Sequence, residues 1–519
     1  MLFNSFEFMF LFFPLTVLLY FLAVRFVGQE FGLGLLVVAS LFFYAWWNPA
    51  YIIFILFSIA INYALGGWLV SNDNGKSKFF LVLGVAINLG LLGYFKYANF
   101  FVDNFNILVG TSWHLEKIVL PLAISFFTFQ QISYLVDSWQ GNTREYNFLH
   151  YCLFVCFFPQ LIAGPIVHHK EMLPQFMKKE ALQPQWSNFA IGISIFCIGL
   201  FKKTVIADNL SRYVGPIYDD PLAAQNADFF VAWGSTLAYT FQLYFDFSGY
   251  SDMAIGCSRI FGIKLPVNFF SPYKSVSIIE FWRRWHITLS RFLRDYLYVP
   301  LGGSRKGKGR RYANLFLTML LGGLWHGAGW TFVIWGALHG SYLMINHAWH
   351  WSMQAAGFRL EAHRAYRLFC WLLTFLGVTV AWVYFRAPTL EQGNAIILAM
   401  LGTNGAELPM SVAARVSGLE NTLTLMGVSL GGGSGSAFVG NYLWVLVGAF
   451  GAVCMPNVAQ IFHHYEPVLY EHQESFKAVR DQARIRWGYS TTWAATTGLI
   501  GLVGVLTLTQ ISEFLYFQF

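Results

Sequence analysis

The sequence predicts an all-α, polytopic integral membrane protein, and three observations carry that prediction. Hydrophobic residues make up 56% of the 519 residues and charged residues only 11%, well below the roughly 25% charged of a soluble domain. Apolar runs recur along the whole length, which favours one membrane-embedded unit over residues 1–519 rather than several soluble domains. The formal net charge of +7 sits largely between those runs, where Lys and Arg set topology and meet anionic lipid headgroups. No nucleic-acid-binding motif gives that charge another use.

Met1 to Val24 has no Lys or Arg before Arg25, so it lacks the basic start of a cleaved leader and reads as a retained first span. Phe31–Trp47 and Tyr51–Val70 follow, punctuated by Asn48 and Pro49, then an exposed turn, SNDNGKSK, and further spans at Phe79–Phe95 and Ile118–Val136. Asp137 reads as a cap or anchor at the bilayer surface. Pro159, Gly164 and Pro165 break Leu149–Val167 into a re-entrant segment, and irregular backbone at that depth needs protein or cavity water to satisfy it.

His168 and His169, just beyond, lack the carboxylate or thiol company of a zinc site and read as interface residues. Lys202 and Lys203, within the Phe189–Ala207 run, read the same way. Asp246 and Asp252, around Gly249 after the Ala227–Tyr244 run, suit capping and ion pairing with the arginines between Arg283 and Arg294, or the shaping of a chamber. The six cysteines, Cys152, Cys156, Cys197, Cys257, Cys370 and Cys454, lie in apolar surroundings without a CxxC pair and read as packing, so no metal site is expected. Beyond the central stretch come a short charged connection (Arg359–Arg367) and a span at Leu368–Phe385. A Gly/Ser-rich flexible loop (about 402–441), a span at Tyr442–Phe462, a charged segment (Glu466–Arg486) and a span at Trp493–Ile511 complete the chain. The total is roughly 10–13 crossings, with no internal repeat.

The densest polar chemistry falls between Phe281 and Gly340. As one helix, Phe281–Tyr298 gathers Arg283, Arg284, Arg291, Arg294 and Asp295 within an arc of roughly 120°. Trp282, Trp285, Leu289, Phe292, Leu293 and Tyr296 fill the other side until Pro300, Gly302 and Gly303 end it. Such a helix lies at an interface or braces a pore wall. Arg305, Lys306, Lys308, Arg310 and Arg311 then form a basic cytoplasmic loop, a topology anchor or a contact for an anionic cosubstrate.

Ala313–Ala348 contains no Lys, Arg, Asp or Glu, yet holds His326, His339 and His347. His326 lies well inside this run between Gly323 and Gly327, where another backbone can approach closely. An ionisable residue at that depth is a functional candidate. Read as an uninterrupted helix, the run places His339 about 20 Å beyond His326 and on nearly the opposite face. His326 is therefore paired with His286, whose element can fold back to meet it.

FWRRWH with SRFLRDYLYVPLGG, then GGLWHGAGWTFVIWGALHG, resembles the membrane-bound O-acyltransferase family, in its bacterial alginate O-acetylation branch. FFPQLIAGPIV, GLFKKTVIADNL, YTFQLYFDFSGYSDMAIG, KLPVNFFSPY, WVYFRAPTL and the terminal FLYFQF extend that resemblance over most of the chain. It implies transmembrane, re-entrant and interfacial helices around a central tunnel, with a catalytic core over about residues 120–345. It further implies a catalytic His326 with His286 as the second polar position, and acetyl-coenzyme A as donor. Arg305, Lys306 and Lys308 suit a weak electrostatic attraction for that donor's phosphates. The implied setting is the bacterial inner membrane, with a periplasmic SGNH-hydrolase-like partner and polysaccharide export machinery. D-alanyl transfer, peptidoglycan acylation and a proton-coupled transporter or flippase remain the alternatives.

Overall fold

The computed structural model describes the chain apart from residues 72–76, 144–146, 359, 361–362, 417, 419, 471–482, 509–513 and 516–519. Unbroken apolar runs wind into helices because only a helix satisfies every backbone polar group within its own segment. The first helices are α1 (Glu7–Phe26), α2 (Gln29–Ala45), α3 (Tyr51–Ser71) and α4 (Ser77–Val109). Next come α5 (Ile124–Trp139), α6 (Phe148–Cys156), α7 (Trp186–Ser211) and α8 (Phe229–Ile260). The central stretch supplies α9 (Ile278–Arg284), α10 (Ile287–Leu293), α11 (Lys308–His326) and α12 (Trp330–Ala355). The chain continues through α13 (Arg364–Arg386), α14 (Leu390–Met400), α15 (Gly435–Cys454) and α16 (Thr491–Leu506).

Among the described residues, six helices are long and apolar enough to cross a membrane: α1, α3, α4, α7, α13 and α15. Two shorter apolar helices, α2 and α16, accompany them. The chain is thus a multi-pass, all-α membrane protein. In α8, α11 and α12, Ser, Thr, Tyr, Asn, Asp and His interrupt the apolar pattern. α8 turns those groups inward and is buried along nearly its whole length.

The break expected within Leu149–Val167 is present. α6 stops at Cys156, a short turn covers Phe158–Leu161, and the following segment is buried without regular structure. Its backbone finds other donors and acceptors: Phe158 N–H donates to Ser40 Oγ (3.1 Å) and Ile166 N–H to Thr288 Oγ1 (3.0 Å).

Four expectations need correcting. Asp246 and Asp252 do not pair with the arginines: Asp246 meets Lys203 at 2.7 Å and Asp252 meets Lys202 at 2.6 Å. Both lysines lie in a π-turn, Lys202–Ala207, within α7 and pair with α8, Lys203 buried and Lys202 partly buried, rather than standing free at an interface. His168 and His169 are also buried, bonded respectively to Tyr296 Oη (3.0 Å) and Thr143 Oγ1 (2.5 Å). Lastly, the stretch from Gly402 to Asn441 is no bare tether. Ala406–Pro409 pairs in parallel with Val428–Gly431, and Leu408, Ala413 and Val428 form a small core against Phe230 and Phe438.

The expected turn at SNDNGKSK and the charged segments at Arg359–Arg367 and Glu466–Arg486 lie partly outside the described residues. So does the C-terminal motif. Its Phe514 and Leu515 are buried, with Leu515 N–H donating to Asp246 Oδ2 at 3.0 Å.

Candidate active site

His326 is the last residue of α11. Gly327 and Gly329 adopt extended backbone, which stops the helix and lets α12 begin at Trp330 and fold back along it. Glycines make the return possible: a Cβ on Gly323 would lie 2.3 Å from the Phe332 carbonyl, and one on Gly336 would lie 2.5 Å from the Met319 carbonyl. The close approach expected beside His326 is that of α12. The uninterrupted helix over Ala313–Ala348 is overturned, and with it the placing of His339 far from His326.

Folding back interleaves histidines with tryptophans. Trp325 lies 6.5 Å from His286 and 4.9 Å from His326, ring centre to ring centre. Trp335 then lies 5.1 Å from His326 and 4.7 Å from His339. His286, His326 and His339 are all buried, and His326 is within electrostatic range of the other two and of Lys96. The expected pairing of His286 with His326 is therefore met around Trp325, and His339 extends the row. His339 Nδ1 accepts from Trp282 Nε1 at 3.2 Å.

The carbonyls at the end of α11 have no partner within their own helix and carry the negative end of its dipole. Lys96 Nζ donates to the carbonyls of Trp325 (2.6 Å) and His326 (2.9 Å), and Tyr97 Oη donates to that of Leu324 (2.8 Å). Both donors sit in a π-turn, Gly93–Tyr97, inside α4. Nearby, Trp330 Nε1 donates to Asn104 Oδ1 at 2.8 Å, so α4 braces both sides of the break. Sequence reading missed Lys96 and Tyr97. The apolar run before them makes Lys96 look like a span boundary.

The single amphipathic helix expected over Phe281–Tyr298 is in fact broken at His286. The chain leaves α9 through Trp285 and restarts α10 after His286, which has φ +41° and ψ +55°. A non-glycine residue in the left-handed region is costly and needs its surroundings to hold it. Asn268 does so: its carbonyl accepts from Ile287 N–H at 2.9 Å and its Oδ1 accepts from Thr288 Oγ1 at 2.9 Å. His286 Nδ1 lies 3.2 Å from the same Oδ1. The arginines consequently part company. Arg284 pairs with Glu280 (2.7 Å) and Arg291 with Glu171 (2.7 Å), while Arg294 pairs with its neighbour Asp295.

Arg291, Arg294, Lys170 and His168 help line a polar, open cavity of about 400 Å³. Asp137 is buried there and accepts from Tyr296 Oη at 2.9 Å, rather than capping a helix at the surface. From this cavity the rings of Tyr296, Phe292, Phe129 and Trp325 follow one another, with centres 5.0, 3.9 and 4.9 Å apart, as far as the side of His326. Arg305, Lys306 and Lys308 lie elsewhere, exposed at the start of α11. Lys308 is about 27 Å along that helix from His326 and stands over the Trp351 ring at 5.3 Å. Among the described residues no group of three or more His, Cys, Asp and Glu is placed to hold a metal.

Residues 138–385 match the model of MBOAT, the membrane-bound O-acyltransferase family, a stretch that contains His286, His326 and His339. The chain is 46% identical to a peptidoglycan O-acetyltransferase of Helicobacter pylori over 79% of its length and 81% of that protein. It is 42% identical to a "probable alginate O-acetylase AlgI" of Pseudomonas aeruginosa over 82% of its length and 80% of that protein. A teichoic acid D-alanyltransferase of Bacillus subtilis is 31% identical over 43% of the chain and 58% of that protein.

Proposed function

The chain belongs to the membrane-bound O-acyltransferase family, and from that premise we propose that it takes an acetyl group from cytoplasmic acetyl-coenzyme A and delivers it across a bacterial inner membrane. The acetyl group serves O-acetylation of an exported polysaccharide through a periplasmic SGNH-hydrolase-like partner working with the export machinery. The observation that carries this reading is the meeting of two buried imidazoles, His286 and His326, at one tryptophan inside a multi-pass protein. The names of the relatives favour acetyl over D-alanyl, because the acetyl-transferring relatives match over most of the chain and the D-alanyl relative over less than half. A peptidoglycan acceptor is the second reading, supported by the Helicobacter relative.

In this mechanism His326 takes the proton of the acceptor hydroxyl. The oxygen bonds to the thioester carbonyl carbon and the carbon–sulfur bond breaks. The departing thiolate recovers the proton from His326, leaving an acetyl ester and free coenzyme A. His286 steadies the charge that develops during transfer. The polar cavity at Arg294 and Lys170 suits the phosphates of the donor, with the aromatic row leading its acyl end toward His326. Arg305, Lys306 and Lys308 add long-range attraction for that anion.

Transfer from labelled acetyl-coenzyme A in proteoliposomes, with the extracytoplasmic partner present, tests the reading. Wild type transferring label while folded His326→Ala does not is the expected result. A wild type that never cleaves the thioester, yet moves a solute, would put a proton-coupled transporter in its place.

A further inference from the structure

Asn268, on the segment between α8 and α9, turns its side-chain amide toward both Thr288 and His286. Its Oδ1 lies 2.9 Å from Thr288 Oγ1, 3.3 Å from the Thr288 backbone nitrogen and 3.2 Å from His286 Nδ1. A backbone N–H can only donate, so the amide atom facing Thr288 must be the oxygen and not the NH2 group. That oxygen in turn only accepts, so Nδ1 of His286 must bring a proton to it. A neutral imidazole has one proton, and its lone pair therefore lies on Nε2, across the ring from Asn268.

We propose that Asn268 is a positioning residue that locks His286 in the Nδ1–H tautomer, so that His286 offers the reacting groups a hydrogen-bond acceptor at Nε2 rather than a donor. The inference rests on the acyl-transfer reading and sharpens it. A neutral His286 in this tautomer does not donate from Nε2 to the thioester carbonyl. It accepts instead, either from the acceptor hydroxyl or from the imidazolium formed on His326 once that residue has taken its proton.

The other end of the Asn268 amide supports a built arrangement. Nδ2 is buried without a hydrogen-bond partner among the described residues, as are Ser248 Oγ and Ser251 Oγ. All three residues line a cavity of about 10 Å³ together with Lys202 and Asp252. A cavity of that size holds one water at most, and several polar partners are what such a water requires. Of the titratable groups, His326 on α11 interacts electrostatically with His286, and the Lys202–Asp252 pair lines the cavity on the Nδ2 side of Asn268.

Three variants and one spectrum test the proposal. Asn268→Ala removes the acceptor, and kcat is expected to fall about 10–100-fold, as when the residue orienting a functional imidazole is lost, with KM within about twofold. Asn268→Asp keeps an acceptor for all three donors and adds a charge that holds His286 protonated. It is expected to retain activity at high pH while the acid limb of kcat moves up by about one pH unit. Thr288→Val removes a hydroxyl that bonds Asn268 Oδ1 and Ile166 N–H but leaves the imidazole bond and adds no charge, so whatever its rate, the acid limb of kcat should stay at the wild-type position. Nitrogen-15 spectra of histidine-labelled protein, with His286→Gln identifying the signals, should show a protonated Nδ1 and a bare Nε2 in the wild type. They should show a change of tautomer in Asn268→Ala.

A protonated Nε2 in neutral wild-type protein, an unmoved acid limb in Asn268→Asp, or wild-type kcat in folded Asn268→Ala would overturn the proposal. If Asn268→Ala does not fold, the aspartate profile and the wild-type spectrum still decide. The spectrum needs no turnover, so absence of thioester cleavage in the wild type removes the acetyl-transfer reading without touching the tautomer.

Discussion

The chain breaks a helix twice to form the candidate site, and it does so by opposite means. At His326 the break is made of glycines: α11 stops, extended Gly327 and Gly329 follow, and α12 returns through contacts that only glycine allows. At His286 the break is made by the functional residue itself, a non-glycine at φ +41° held by Asn268. The first histidine occupies an unstrained helix end whose carbonyls are capped from α4; the second is the strained position. The helix end suits the proposed base, and the strained position held by Asn268 suits the proposed orienting ring.

The largest expected effect separates the two by chemistry. His326→Ala should lower acetyl transfer by about 10²–10⁴-fold, the range for loss of a general base, and His286→Ala should lower it less, both measured at matched levels of folded protein. Equal losses would mean that the two rings act as one unit and that the contrast drawn from their backbones carries no functional meaning.

The glycine break is tested next through folding. Gly323→Ala forces a Cβ to within 2.3 Å of the Phe332 carbonyl, whereas a Cβ at Gly329 meets nothing closer than 3.6 Å. Folded yield in detergent should therefore drop sharply for Gly323→Ala and little for Gly329→Ala. Similar yields would show that the hairpin tolerates separation of α11 from α12.

Lys96→Met strips the cap from the Trp325 and His326 carbonyls, and a buried acceptor left without its donor costs about 1–3 kcal/mol. A lower melting temperature is expected together with reduced transfer, because the loosened turn carries His326. A destabilised variant with unchanged kcat would confine Lys96 to the scaffold.

Legibility in the sequence follows the same division. Composition and the spacing of apolar runs were enough for a helical membrane protein, and the Pro-Gly-Pro pattern was enough for the broken segment after α6. The glycines flanking His326 marked a close approach, but the length of the apolar run argued for one continuous helix and hid the return that brings His339 close. Nothing in FWRRWHIT signals a left-handed residue, because what holds it is Asn268, 18 residues earlier in sequence. Lys96 was hidden for the converse reason: an ammonium among apolar residues reads as the end of a span, and its carbonyl partners lie 229 and 230 residues away. Asp246 and Asp252 were legible as charges needing partners, whereas the π-turn that delivers Lys202 and Lys203 to them is a register effect without a sequence signature.

The smallest predicted effect bears most directly on the contrast between the breaks. A side chain with a Cβ at a left-handed position is disfavoured by about 1–2 kcal/mol, and glycine escapes that cost while adding about 0.5–1 kcal/mol of unfolded-chain entropy. His286→Gly should accordingly be more stable than His286→Ala by about 1 kcal/mol or less, although both lack the imidazole and both should be impaired in transfer. The same exchange at His326, where the backbone is helical, should reverse in sign, with alanine the more stable by about 1 kcal/mol. Comparing the two alanine–glycine pairs by thermal unfolding cancels the loss of each ring and leaves only the backbone. If both pairs favour alanine, residue 286 is not strained, and what holds its ring in place is the side-chain contact with Asn268 rather than the shape of the break.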